Sequence, residues 1–114
     1  MRKVYGKIPI FPKKEAAFQR WSKGESFQEI AKNFQVAEAT AEIYTIDMIA
    51  HGRGDSAMCD RLLKEMEISE GEFHLVAERL TSPGVTLREI FDETDLRYNQ
   101  IREVIVALLH EFRF

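Results

Sequence analysis

The sequence has little cysteine and no long apolar run, and both shortages exclude classes of protein. A single cysteine, Cys59, can form neither an intramolecular disulfide nor a multi-cysteine zinc site. The longest uncharged apolar run covers residues 104–109, whereas a helix needs roughly 20 apolar residues to cross a bilayer. The N-terminus carries Arg2 and Lys3 but lacks the apolar stretch of a secretory signal. We therefore expect an intracellular protein, cytoplasmic or nuclear, with no membrane contact.

Catalytic and metal-binding patterns are also missing. The motif G-x-x-x-x-G-K-[ST] of nucleotide-hydrolysing motors does not occur. His51, His74 and His110 are far apart, and none has an acid or a cysteine at a recognised ligand spacing. No set of nucleophile, base and oxyanion donor can be assembled from the other residues. We expect no enzyme activity, no catalytic residue, no metal, no cofactor and no small-molecule substrate.

Charge is distributed unevenly along a chain of 114 residues, a length that suits one domain. The formal net charge is -3. Residues 1–35 hold eight basic and three acidic side chains, a net +5, which leaves -8 for the other 79 residues. Such a split is typical of a basic arm or face that meets a polyanion, with an acidic body behind it. Lysine-rich chain ends that only maintain solubility give the same pattern.

Hydrophobic spacing predicts an all-α fold, a compact bundle of six or seven helices. Pro9 and Pro12 favour extended backbone, so residues 1–13 are expected to be a basic extended arm or linker. The helical domain is then expected to span residues 14–114. Side chains that accept hydrogen bonds from backbone N–H groups are expected to open four of the helices. These capping residues are Ser26, Asp55, Ser69 and Thr86.

The same spacing predicts which residues face the core. Cys59 is expected to be a small core residue rather than a nucleophile. A helix over residues 37–50 and a last helix over residues 97–112 are both expected to be amphipathic. The predicted inward residues are Ala39, Ile43, Ile46 and Ile49 or Ala50 in the first of these, and Ile101, Val104, Ile105, Leu108 and Phe112 in the second.

Residues 26–49 and 86–109 align without a gap and form an internal repeat. Each copy consists of a short capped helix, a break of three to four residues and a longer amphipathic helix. That order is typical of a helix-turn-helix, whose second helix enters a major groove of DNA. The first copy predicts a helix-turn-helix and the second a tandem unit of the same kind. Two antiparallel helices joined by a polar turn give the same pattern without DNA binding.

The first copy resembles a known family. The segment GESFQEIA at residues 24–31, followed by Val36, Thr40 and a helix ending near Gly52, is similar to the helix-turn-helix domain at the C-terminal end of RecQ-type, Werner-like DNA helicases and related helicase-like proteins. The residues that match the closing unit of that family are Leu87, Ile90, Ile101 and Arg102. The resemblance covers residues 14–110. It implies a non-catalytic accessory domain at the end of a larger helicase, of which this chain is a fragment.

The predicted recognition helix differs from this family and from helices that read DNA. Ala41 replaces the usual branched residue, and Tyr44-Thr45 replaces the usual His-Leu. No Lys or Arg occurs between Lys32 and Arg53, although such donors supply most contacts to bases and phosphates. The carboxylates expected on its outward face are Glu38, Glu42 and Asp47. The sequence therefore argues against sequence-specific DNA reading by this helix.

Nucleic-acid contacts are instead expected from basic and amide side chains elsewhere. The candidates are Lys3, Lys7, Lys13, Lys14, Arg20, Lys23 and Lys32 in the arm and first two helices, and Arg97, Asn99, Gln100 and Arg102 in the second copy. Phosphate contacts there would give salt-dependent, largely sequence-independent binding of single-stranded or forked DNA. Two alternatives stay open: a protein-protein interaction module on the same scaffold, with a protein partner or a second copy of itself, and a small transcriptional regulator.

Overall fold

The protein is all-α. The computed structural model describes residues 12–111, which form seven α-helices, a short π-helical segment and no β-strand. The elements are α1 Pro12–Ser22, α2 Phe27–Phe34, α3 Glu38–Met48, the π-helical segment Ile49–Arg53, α4 Ser56–Glu65, α5 Glu70–Leu80, α6 Leu87–Thr94 and α7 Tyr98–Leu109. The predicted fold class and number of helices are confirmed. Of the predicted arm, residues 1–11 lie outside the described part, while Pro12 and Lys13 open α1, where proline is favoured.

The helices belong to two compact units, with the division between Met48 and Ile49. In the first unit, α1, α2 and α3 all pack against one another. In the second unit, α5, α6 and α7 pack against one another in the same way, and α4 packs on α7. Apart from Ile49, the first copy of the repeat therefore lies in the first unit and the second copy in the second, each together with the helix that precedes it. The residues expected to form one helical domain, 14–114, are divided between the two units.

Aromatic side chains form much of the core of the first unit. Trp21 of α1 has no exposed surface, and its ring stacks on Phe27 of α2 with the ring centroids 6.3 Å apart. Phe18, one turn earlier in α1, lies 6.1 Å from Trp21. Ile30 of α2 is also fully buried. The buried residues of α1 and α2 recur at helical spacing, which places them on one face of each helix.

The inward face of α3 differs in part from the prediction. Ile46 and Ile49 are buried as predicted, whereas Ala39 is exposed and Ile43 is only half-buried, so the prediction was wrong at these two positions. Thr45 is fully buried and donates its hydroxyl to the carbonyl oxygen of Ala41, one turn earlier, at 3.4 Å. This local bond satisfies the hydroxyl and lets a polar residue occupy the inward face. The buried residues of α3 are Ala41, Glu42, Thr45, Ile46 and Met48.

The second unit is organised around α7, since α4, α5 and α6 all pack on it. Ile101 and Val104 of α7 are fully buried, as predicted, whereas Ile105 and Leu108 are half-buried. Phe112 lies outside the described residues. Cys59 of α4 is buried, which confirms its expected place in the core. The other large buried side chains of this unit include Leu62, Leu63, Phe73, Val76 and Ile90.

Reciprocal caps open α2 and α6, the short helices of the repeat. The Ser26 hydroxyl accepts the backbone N–H of Glu29, whose carboxylate accepts the backbone N–H of Ser26. Thr86 and Glu89 make the same pair of bonds. Asp55 and Ser69 cap α4 and α5. All four predicted caps are confirmed, because a cap depends on residues only three positions apart.

Residues with a left-handed backbone conformation lie at matching positions in the two copies. Gln35 ends α2 with φ 55°, and Asp95 ends α6 with φ 61°. Gly24 and Gly84, which precede the two capping boxes at equal spacing, have φ 110° and 76°. Positive φ is unfavourable for residues with a Cβ and is used to terminate helices. The repeat seen in the sequence is therefore also a repeat of backbone conformation.

Removal of a cap should weaken each unit by a comparable amount. We expect Ser26→Ala and Thr86→Ala each to lower the free energy of unfolding by ~1 kcal/mol, because the N–H groups of Glu29 and Glu89 lose their acceptors. Chemical denaturation followed by circular dichroism measures the change. Ser56→Ala, at an exposed first helical position, is the control and should shift stability by less than ~0.5 kcal/mol. Equal effects of Ser26→Ala and Ser56→Ala would contradict the prediction.

Candidate nucleic-acid interface

Three predicted basic residues lie along one exposed face at the first helix. Lys13 and Arg20 are both exposed, and their separation of about two turns places them on the same side of α1. Lys23 follows α1 directly, and its backbone N–H still bonds to the carbonyl oxygen of Gln19, which continues the helical turn. The three cations extend over roughly 15 Å at 1.5 Å per residue. We call Lys13, Arg20 and Lys23 the basic stripe.

The members of the basic stripe differ in how far neighbouring residues compensate their charge. Arg20 donates to both carboxylate oxygens of Glu25 at 3.2 Å, and its guanidinium carbon lies 5.6 Å from the centre of the Phe34 ring. No residue between 12 and 111 forms an ion pair with Lys13 or Lys23. The two lysines thus present uncompensated charge, while Arg20 also holds α1 against the loop and the end of α2.

The remaining basic candidates of the first unit have unlike surroundings. Lys14 is half-buried, and its Nζ lies 2.7 Å from Oδ2 of Asp47 on α3. This ion pair joins α1 to α3 and compensates the charge of Lys14. Lys32 is exposed in the last turn of α2. Lys3 and Lys7 lie outside the described residues.

The acidic outward face predicted for α3 was wrong. Glu42 is only 6% exposed, and Asp47 is paired with Lys14, which leaves Glu38 as the exposed carboxylate of the first turn. The outward-facing residues of α3 that are exposed or half-buried include Ala39, Thr40, Ile43 and Tyr44. This surface neither repels phosphates strongly nor offers a basic side chain to a base edge.

The amides expected to contact nucleic acid in the second unit hold that unit together instead. Asn99 is only 6% exposed, and its Oδ1 accepts a hydrogen bond from the Arg102 guanidinium at 3.1 Å. Gln100 accepts the backbone N–H of Arg97 at 2.7 Å and donates to the carbonyl oxygen of Met66 at 2.8 Å. Asn99 therefore does not belong to an exposed surface, and Gln100 is engaged at both ends. Arg97 and Arg102 are exposed.

An aromatic stack lies beside these arginines. The rings of Phe91 on α6 and Tyr98 on α7 are nearly parallel, with the centroids 4.6 Å apart. The guanidinium carbon of Arg102 lies 6.0 Å from the centre of the Tyr98 ring. Along the same side of α7, Leu109 is 74% exposed. The outward side of α7 is thus a mixed surface of aromatic, basic and aliphatic groups.

Among residues 12–111, the titratable group whose pKa is shifted most is Glu103, in the interior of the second unit. It has no exposed surface, and neither carboxylate oxygen has a hydrogen-bond partner among residues 12–111. Burial raises the pKa of Glu103 from 4.5 to about 8. On α4, burial first and then the carboxylates of Glu103 and Asp55 raise the pKa of Cys59 to about 11. Our sequence interpretation missed Glu103, although the repeat carries a signal, since Ile43 occupies the matching position.

Comparison of the chain with protein families, curated proteins and solved structures found no match. Among residues 12–111, none of the helices combines the length and the apolar character that crossing a bilayer requires. Within the same residues, His, Cys, Asp and Glu side chains form no group of three or more that could hold a metal ion.

Proposed function

We propose that the protein is a non-catalytic accessory module that binds nucleic acid through its phosphates. The observation that carries the proposal is the pair Lys13 and Lys23, which are exposed and form no ion pair with any residue from 12 to 111. Lysine ammonium groups on flexible stems act as point charges toward phosphates. Their release of counterions from DNA makes such binding sensitive to salt and indifferent to sequence.

The uneven distribution of charge favours one orientation of the protein on the nucleic acid. The net charge of residues 36–114 is -8, so most of the chain is repelled by a polyanion, whereas residues 1–35 carry +5. Long-range electrostatics would therefore turn the basic stripe toward the nucleic acid. Since α3 has no Lys or Arg, base reading in a major groove contributes little.

The resemblance of residues 24–31 to RecQ-type helicase domains supports DNA as the nucleic acid. Single-stranded or forked DNA is the substrate that a helicase presents, and sequence-independent phosphate contacts suit it. We infer an accessory role beside a helicase motor, in the cytoplasm or the nucleus. That motor would supply the catalysis.

Reversal of the charges on the basic stripe tests the proposal. We expect Lys13→Glu/Lys23→Glu to weaken binding of a fluorescent single-stranded or forked DNA by at least about tenfold at low salt. The slope of log affinity against log salt should fall by about 1.5, since each lost phosphate contact removes ~0.7–0.9. Fluorescence anisotropy at several salt concentrations measures both quantities with the full chain.

The matched control reverses two exposed cations of the second unit. Lys64→Glu/Arg88→Glu changes the net charge equally at side chains that are 75% and 76% exposed. We expect this variant to retain at least half of the wild-type affinity. Absence of DNA binding by the wild type at low salt would contradict the proposal. Equal losses of DNA affinity in the two double variants would also contradict it.

Protein interaction is the second candidate function, and the exposure of Leu109 favours it. A leucine that is 74% exposed at the end of α7 is an unusual surface residue when Tyr98 and Ile105 lie on the same side of the helix. If this side binds a second copy of the chain, light scattering should show a dimer that Leu109→Asp converts to a monomer. A wild-type monomer at high concentration would contradict self-association.

A further inference from the structure

Glu103 occupies the most enclosed position that a carboxyl group has among the described residues. It lies on α7, the helix on which α4, α5, α6 and the segment Ile49–Arg53 all pack. Its side chain has no exposed surface, and both of its oxygens are without hydrogen-bond partners in the part of the chain that the structure describes. A carboxyl group in such a place is tolerated as the neutral acid far better than as the anion.

The groups that surround Glu103 offer no compensating positive charge. From α4, the titratable neighbour is Cys59, whose thiol is fully buried and whose pKa is raised by burial and then by the carboxylates of Glu103 and Asp55. No Lys, Arg or His among residues 12–111 donates a hydrogen bond to the Glu103 carboxylate, and burial raises the pKa of this group. An ionised Glu103 would therefore be an isolated buried charge.

Such a charge is relieved when the helices separate and water reaches the carboxylate. We propose that α4 and α7 open from each other with release of the Glu103 proton, so that acid keeps this contact closed and alkali opens it. In the open state the carboxyl has its ordinary acidity, while in the closed state burial keeps its pKa at about 8. Opening is therefore linked to proton release throughout the neutral range.

The first copy of the repeat has no enclosed carboxyl group at the matching position. Ile43 aligns with Glu103 in the sequence, but its side chain is half-buried, whereas Glu103 has no exposed surface. The carboxyl of Glu103 makes the second unit sensitive to pH, and the first unit lacks this feature.

Cys59 provides a direct probe of the opening, because it is the single cysteine and lies buried on α4. The rate of its reaction with an aromatic disulfide reagent is measured from pH 6 to pH 8 on the full chain. Each rate is divided by the rate of the denatured chain at the same pH, which removes the effect of thiolate formation. We expect this normalised rate to rise about fiftyfold in the wild type, by roughly ninefold from pH 6 to pH 7 and less steeply as the pH approaches the pKa of about 8.

The variant Glu103→Gln cannot ionise and should show a normalised rate that is constant over this range. Glu103→Leu serves the same purpose if the glutamine variant does not fold, and Glu78→Gln, at an exposed site on α5, should behave as the wild type. A constant rate in the wild type would overturn the proposal, as would a rise that persists in the Glu103 variants. Trp21 emission, which reports the first unit, should stay constant, and a parallel change would overturn local opening in favour of global unfolding.

Discussion

Replacement of Glu103 by leucine is expected to stabilise the protein, and to do so increasingly as the pH rises. In the folded chain burial holds the pKa of Glu103 at about 8, against 4.5 for an exposed carboxyl group. Between these values the unfolded chain has lost the proton that the folded chain keeps, so the stability of the wild type falls with rising pH. The loss is ~1.4 kcal/mol per pH unit, or about 3 kcal/mol by pH 7, and it levels off above pH 8.

Leucine removes this loss together with the unpaired polar oxygens. We therefore expect the free energy of unfolding of Glu103→Leu to exceed that of the wild type by ~1–3 kcal/mol at pH 5 and by about 2.5 kcal/mol more at pH 7. Urea denaturation at pH 5, 6, 7 and 8 measures the difference. Glu103→Gln is the control that removes ionisation but keeps buried polar atoms, so its advantage should appear only above about pH 5. If the difference in free energy of unfolding between the leucine variant and the wild type did not vary with pH, this would contradict the raised pKa of Glu103.

Replacement of Trp21 by alanine is expected to cause the largest loss of stability in the first unit. Trp21 has no exposed surface and lies between Phe18 and Phe27, so the substitution leaves a large cavity where α1 meets α2. Removal of a buried aromatic side chain costs ~3–5 kcal/mol, which is a large part of the 5–15 kcal/mol that stabilises a typical domain. Chemical denaturation followed by circular dichroism measures the loss.

Two further variants make this result specific. Trp21→Phe keeps an aromatic ring in the same place and should cost less than half as much as alanine, because it leaves a smaller void. Arg88→Ala, at a side chain that is 76% exposed, should change stability by less than ~0.5 kcal/mol. A loss below ~1 kcal/mol for Trp21→Ala would show that the stacked aromatic residues are not the core of the unit.

Features that depend on neighbouring residues could be predicted from the sequence. The caps at Ser26, Asp55, Ser69 and Thr86 hold because the bond joins residues three positions apart, whatever the tertiary structure. The all-α class and the inward face of α1 follow from apolar spacing alone. The repeat was also visible in the sequence, since its two capping boxes and breaks occur at matching positions.

Features that depend on packing between helices could not be predicted from the sequence. The apolar residues Ala39 and Ile43 suggested one face for α3, but contacts with α1 and α2 select the face that carries Glu42 and Thr45. The burial of Glu103 was missed, because carboxylates are rarely fully buried.

The candidate interface was predictable in composition but only partly in geometry. The sequence identifies every basic residue, yet it does not show that Lys14 is paired with Asp47 or that Arg20 is bound to Glu25. Partners such as these are distant in sequence or depend on loop conformation, and they reduce the charge available to a phosphate. Among the described residues of the first unit, the expected phosphate contacts are therefore the basic stripe and Lys32, while Lys3 and Lys7 stay predictions.

The proposed contact between nucleic acid and the basic stripe is tested most directly by titration of the ¹⁵N-labelled full chain with a short single-stranded oligonucleotide at low salt, followed by amide chemical shifts. We expect the largest shifts at residues 13–25, with the effect lost at high salt. Largest shifts on the outward face of α3 or on α7, or no shifts at low salt, would contradict the claim.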